Sequence, residues 1–108
     1  MSDTGYNIRW LGYCKHNDKL WGWFRAPGSE DDGRFGERDS YCFWAVRGKT
    51  ISMNKHRIWS PHSMDRMVDA KIKNGYASIK LEDALAMWPT MMEDMQHRFL
   101  FLRLSDVI

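Results

Sequence analysis

YCFWAVRGK, residues 41–49, reads as a β-strand, with Tyr41, Phe43 and Ala45 alternating against Cys42, Trp44 and Val46 at the two-residue period of a pleated sheet. KTISMNKHR follows and either continues that strand or pairs as another, setting Ile51 and Met53 on one side. The segment then closes as a capped helix ending in KIKNGY at 71–76. Ser60-Pro61 supplies the helix start, because serine accepts from the first free N–H groups and proline lacks the N–H that would go unpaired; Ser63 is an equally good N-cap. Met64, Met67, Val68, Lys71 and Ile72 trace the helix's inner stripe, and Gly75 is the expected left-handed residue past its end.

Working back toward the N-terminus, YNIRWLGYCK and KLWGWFRA flank the turn-forming HND at 16–18 and predict a β-hairpin over residues 6–26. Alternation places Ile8, Trp10, Gly12 and Cys14 on one face of its first strand, with Arg9, Leu11 and Tyr13 on the other. Aromatics fall on both faces of the second strand. The sheet is therefore expected either to be covered on both sides or to present one aromatic face as a binding surface. PGSEDDGRFGERDS, residues 27–40, reads as a loop; its acids at 30–32 fit a solvated stretch better than a metal site.

Toward the C-terminus, Leu81, Ala84, Leu85 and Trp88 mark a second helix stopped by Pro89. Thr90 and Glu93 make a capping-box pattern for a third, in which Met92, Met95, Phe99 and Leu102 repeat. RFLFLRL, 98–104, is too uniformly apolar for its period to decide between helix, edge strand and a subunit contact; burial within the chain as a monomer is favoured over a homodimer. The expected fold is thus α+β over one domain, 1–108. A small twisted antiparallel sheet (6–26 and 41–57) carries a helix at about 61–74 on one face, and residues 81–108 form a helical C-terminal extension.

Charge is unevenly spread. Residues 41–80 carry +6, eight Lys or Arg against Asp65 and Asp69, while residues 1–40 sum to −1 and residues 81–108 to −3. A whole-chain charge of +2 conceals this basic centre, which attracts polyanions whatever the total. Six tryptophans and eight methionines give a small core much area per residue, and an exposed tryptophan among cations can stack on an unpaired base. His16, His56, His62 and His97 are scattered, no Gly-rich phosphate loop is present, and Cys14 with His16 lacks a second ligand pair, so the sequence predicts neither catalysis, cofactor nor metal. The N-terminal MSDTGYNIR shows no basic-then-apolar pattern and no apolar run approaches the ~20 residues of a membrane span. The expectation is a cytoplasmic protein with no membrane partner, in which Cys14 and Cys42 stay free although a disulfide between neighbouring strands is geometrically open.

The order of NDKLWGWF (17–24), WAVRG (44–48) and KIKNGY (71–76) resembles that of the WGR domain, a Trp-Gly-Arg module of poly(ADP-ribose) polymerases and stand-alone bacterial proteins, over roughly residues 6–80. The resemblance implies a non-catalytic module binding nucleic acid, DNA ends, nicks or single strands above all, through Trp44, Arg47 and Lys49, with Lys55 and Arg57 as backbone contacts. The central motif departs from the family. Arg47 stands three residues after Trp44 and Val46 holds the usual arginine place, so only a β-bulge between them restores the shared face. The alternative function is a protein-interaction module, or a small regulator docking on a larger enzyme through the loop at 27–40 and the Met- and Phe-rich C-terminal helix.

Overall fold

The structure, a computed structural model, describes residues 7–25, 38–58 and 62–107. Five strands, β1 (Asn7–Cys14), β2 (Lys19–Arg25), β3 (Arg38–Val46), β4 (Ser52–Ile58) and β5 (Tyr76–Ser78), form an open antiparallel sheet in the order β4-β3-β2-β1-β5. Three helices, α1 (His62–Lys73), α2 (Leu81–Met87) and α3 (Met91–Val107), complete the α+β architecture. The loop acids at 30–32 and the Ser60-Pro61 helix start lie outside the described residues. β3 begins at Arg38, so the last three residues assigned to the loop already pair with β4.

Alternation along β2 and β3 decides which side chains meet which helices. Leu20 and Phe24 of β2, with Tyr41, Phe43 and Ala45 of β3, face α2 and α3 and are buried with Ala84, Trp88, Met91, Met95 and Phe99. Trp21, Trp23 and Cys42 point the other way and are buried with Cys14, Tyr76 and Met64 of α1; Trp10, Trp44, Met67 and Val68 are half-buried around them. Of the two arrangements the aromatic faces allow, the sheet adopts the covered one, with α1 on one side and α2–α3 on the other.

One expected face assignment is corrected. Ile8 pairs with Phe24, but the next pair is Trp10 with Trp23, so Arg9 is an extra residue in β1. A bulge of one residue reverses the alternation beyond it. Ile8 therefore packs with Leu11 on the α2–α3 side, while Trp10 stays with Cys14 on the α1 side, where its ring lies over Gly12 and meets Trp21 at 5.9 Å.

α1 ends as its sequence requires. Gly75 takes φ +101°, which β-carbon-bearing residues rarely adopt, and the chain turns directly into β5, pairing Tyr76 with Cys14. The Cys14 thiol faces the Asn74 carbonyl at 3.9 Å, and both cysteines are free and buried. Ile72, placed on the inner stripe by its spacing, is instead 50% exposed, because Met64, Met67, Val68 and Lys71 already cover the sheet.

Trp88 fastens the helical pair to the sheet. Its backbone N–H donates to the Ala84 carbonyl at 2.8 Å as α2 ends, and its indole N–H donates to the Val46 carbonyl at 3.4 Å, at the end of β3. Its ring also meets Tyr13 edge-on at 6.2 Å. Met91, Met95 and Phe99 form the buried stripe of α3, with Met92 and Leu102 partly buried beside it. The helix runs on through RFLFLRL to Val107 and leaves Leu100 and Phe101 52% and 64% exposed. The Thr90 hydroxyl hydrogen-bonds the Asp94 carboxylate at 3.2 Å, one residue beyond the Glu93 of the expected box. No helix among the described residues is long and apolar enough to cross a membrane.

Candidate nucleic-acid interface

Two tight turns and a helix end converge at one end of the sheet. Between β1 and β2 the chain reverses over residues 15–18, with Asp18 in the left-handed region (φ 53°) that short polar side chains tolerate. Between β3 and β4 it reverses through Arg47 and Gly48: the Lys49 N–H donates to the Val46 carbonyl at 3.0 Å, and Gly48 supplies the positive φ, +84°, that the third turn position demands. The Arg47 N–H donates to the Asp18 carbonyl at 2.9 Å, locking the two turns together. The ladder pairs Tyr76 with Cys14, Cys14 with Lys19, and Lys19 with Val46, so the C-terminal end of α1 arrives at the same place. Lys15, Lys19, Arg47, Lys49, Lys71 and Lys73 are thereby gathered, and the two turns set one carboxylate, Asp18, among them. Six cations at one end of a small domain make a local field that total charge does not reveal.

Between α1 and the sheet at this end lies a cleft of about 300 Å³, lined by Lys19, Trp21, Cys42, Trp44, Met67, Lys71 and Tyr76. Trp21 and Tyr76 are buried in its walls, while Trp44 is half-buried. The Lys71 ammonium lies 5.4 Å from the ring centres of both Trp21 and Tyr76, within the reach of cation–π attraction. Chemically, the cleft offers aromatic surface for stacking and two ammonium groups for an anion.

Burial pushes the Cys42 thiol up to about 11, with the Lys71 charge pulling the other way. Its folded value stands above the ordinary 9.0, so the protonated thiol contributes stability that is complete below about pH 9 and is lost as pH rises through about 11. Burial likewise raises Tyr76, and the hydrogen bond to Asp18 raises Tyr13, so both act in the same direction on the alkaline side. Urea midpoints are expected to stay level up to about pH 9 and to fall above it, with Cys42→Ala reducing that fall. Iodoacetamide should leave both buried cysteines untouched in the native protein and modify both in urea. Rapid native labelling at neutral pH would contradict this burial.

The five residues singled out from sequence do not all meet. Trp44 lines the cleft, and Arg47 and Lys49 occupy the adjoining turn. Arg47 shares the Asp18 carboxylate: its Nη1 lies 3.9 Å from Oδ1, to which the Tyr13 hydroxyl also donates. β3 pairs with β2 without a register shift from Ser40 through Val46, so no bulge follows Trp44 and Arg47 leaves the strand for the turn. Lys55 pairs with Tyr41, which puts it on the α2–α3 side, opposite Trp44. Arg57 sits opposite Asp39, farther from the turn; its strand position alone is described.

Lys19, Lys71, Trp21 and Tyr76 are the site residues that sequence reasoning passed over. Lys19 falls in the segment of net −1, and KIKNGY reads as a helix terminator, which it is, without revealing that its lysine and tyrosine frame a cleft. Compared with known proteins, the chain matches no protein-family model, no curated protein and no solved structure.

Proposed function

We propose that this protein is a non-catalytic nucleic-acid-binding module that holds DNA at an end, a nick or an unpaired stretch against the basic end of its sheet. The observation that carries this reading is the position of Trp44, half-buried in a cleft it shares with Lys19 and Lys71, beside the turn bearing Arg47 and Lys49. The cations attract phosphates at every sequence, and the ring stacks a base that a break or single strand leaves free. The resemblance to the WGR module supports the same reading. We place the protein in the cytoplasm as a monomer, where free Cys14 and Cys42 stay reduced.

Salt titration tests the phosphate contacts. Lys19→Ala and Lys49→Ala should each weaken binding to all sequences alike and lower the log–log salt slope by about 1. Lys55→Ala should change it less, since Lys55 lies on the other face from Trp44. Absence of binding to broken, nicked or single-stranded DNA at low salt would end this reading. A second reading, docking on a larger protein, draws on exposed Leu100 and Phe101 beside a groove lined by Thr50, Ile51 and His97. Such an interface would resist salt and weaken on Phe101→Glu.

A further inference from the structure

We propose that the cleft between α1 and the sheet is a subsite for one nucleotide unit, with an aromatic base against Trp44 and its phosphate held by Lys19 and Lys71, and that it accepts a free nucleoside monophosphate as well as a nucleotide carried on a strand. The strand-borne source rests on the nucleic-acid reading; the free one does not.

Size and chemistry select this ligand. At about 300 Å³ the cleft stands at the lower end of the ~300–1,000 Å³ range of small-molecule sites, so it suits one compact ligand and excludes a duplex. Its walls are aromatic, which favours a planar ligand, and Trp44 is the half-buried ring among them. The cationic occupant that an aromatic wall would otherwise invite is already supplied by the chain: Lys71 sits over Trp21 and Tyr76. A second cation would meet repulsion from Lys19 and Lys71 alike. A neutral apolar ligand would strip water from two ammonium groups without pairing them, which is costly. A planar group bearing an anion satisfies both the rings and the lysines, and a base joined to phosphate is that combination. Among the described residues no carboxylate pairs with Lys71, so its charge is available to the ligand.

The backbone that carries these residues is fixed before any ligand arrives. Lys19 lies on a strand paired on both sides, with Cys14 and with Val46. Lys71 is in the last turn of a helix whose end is tied to β1 through Tyr76. Preorganisation of this kind reduces the ordering cost of binding.

The test uses the full chain and three small probes, adenosine monophosphate, adenosine and inorganic phosphate, beside two nucleic acids at low salt, a short oligothymidylate and a nicked linear duplex. Binding is read from the tryptophan indole N–H resonances, with the Trp44 signal assigned through Trp44→Phe. The monophosphate should shift the Trp44 resonance and compete with the oligonucleotide, while adenosine and phosphate alone should each bind far more weakly. Lys71→Met, which keeps the stem over the rings and removes the charge, should weaken the monophosphate by about tenfold or more, as loss of a charge-assisted contact does. Should that variant misfold, Lys19→Met provides the same readout from the other lysine. Binding of either nucleic acid without monophosphate binding, or monophosphate binding that leaves the Trp44 resonance unmoved, overturns the subsite and spares the nucleic-acid reading. Monophosphate binding alone supports the subsite and removes the nucleic-acid reading. Binding of neither overturns both.

Discussion

Phe24→Ala is expected to lower the free energy of unfolding by about 3–5 kcal/mol, measured from urea denaturation. Phe24 is fully buried on the central strand and is stacked on Tyr41 at 5.4 Å, with Phe43 and Phe99 at 6.2 and 5.9 Å. Phe99 in turn meets Tyr41 edge-on at 5.1 Å, so removing one ring opens a cavity shared by β2, β3 and α3. Domains of this size have a total stability of only about 5–15 kcal/mol, so the variant should be near the edge of folding. Leu100→Ala, on the exposed side of the same helix, should fall within about 0.5 kcal/mol of the parent. A loss below about 1 kcal/mol for Phe24→Ala would mean that α3 does not dock where these rings place it.

Trp44→Ala should reduce affinity for single-stranded or ended DNA by about 1–3 kcal/mol, roughly five- to 150-fold, and affect closed duplex less. The side chain is half-buried, so part of its role is packing beside Trp21, its partner in the β2–β3 ladder. Circular dichroism and a urea midpoint therefore accompany the binding measurement. Trp21→Ala separates the two roles from the opposite direction: Trp21 is 3% exposed, and its loss should reduce stability more than Trp44→Ala does. An equal loss of affinity on closed and ended substrates would leave Trp44 as packing alone.

Much of this architecture is legible in the sequence because its strands alternate cleanly. Tyr41, Phe43 and Ala45 against Cys42 and Trp44 give the two faces of β3, and Leu81, Ala84, Leu85 and Trp88 give the inner stripe of α2. Other features lack a local signal. Nothing in YNIRWLGYCK marks Arg9 as the extra residue; the bulge is set by pairing with β2, and it alone moves Ile8 to the other face. β5 is three residues long, too short for periodicity to register, and exists through its pairing with β1. The helices' choice of opposite faces is likewise a matter of tertiary packing. The candidate site is hardest to read for the same reason. Its lysines, Lys19 and Lys71, are 52 positions apart in the chain and become neighbours only when Cys14 bridges Lys19 and Tyr76 in the sheet.

The strand order has a bearing on solubility. β4 and β5 are the outermost described strands, and an outer strand offers unpaired backbone groups to any other chain that can align with it. β5 limits that hazard by its length of three residues. β4, at seven residues, is long enough to recruit a neighbour, yet its sequence SMNKHRI places Lys55, His56 and Arg57 in succession. A second copy aligning antiparallel with Lys55 opposite Arg57 would set like charges against one another, which opposes edge-to-edge association in that register. The basic sequence of β4 is thus unfavourable to self-pairing, and replacing Lys55 and Arg57 with valine should make the protein aggregate upon concentration while its fold persists.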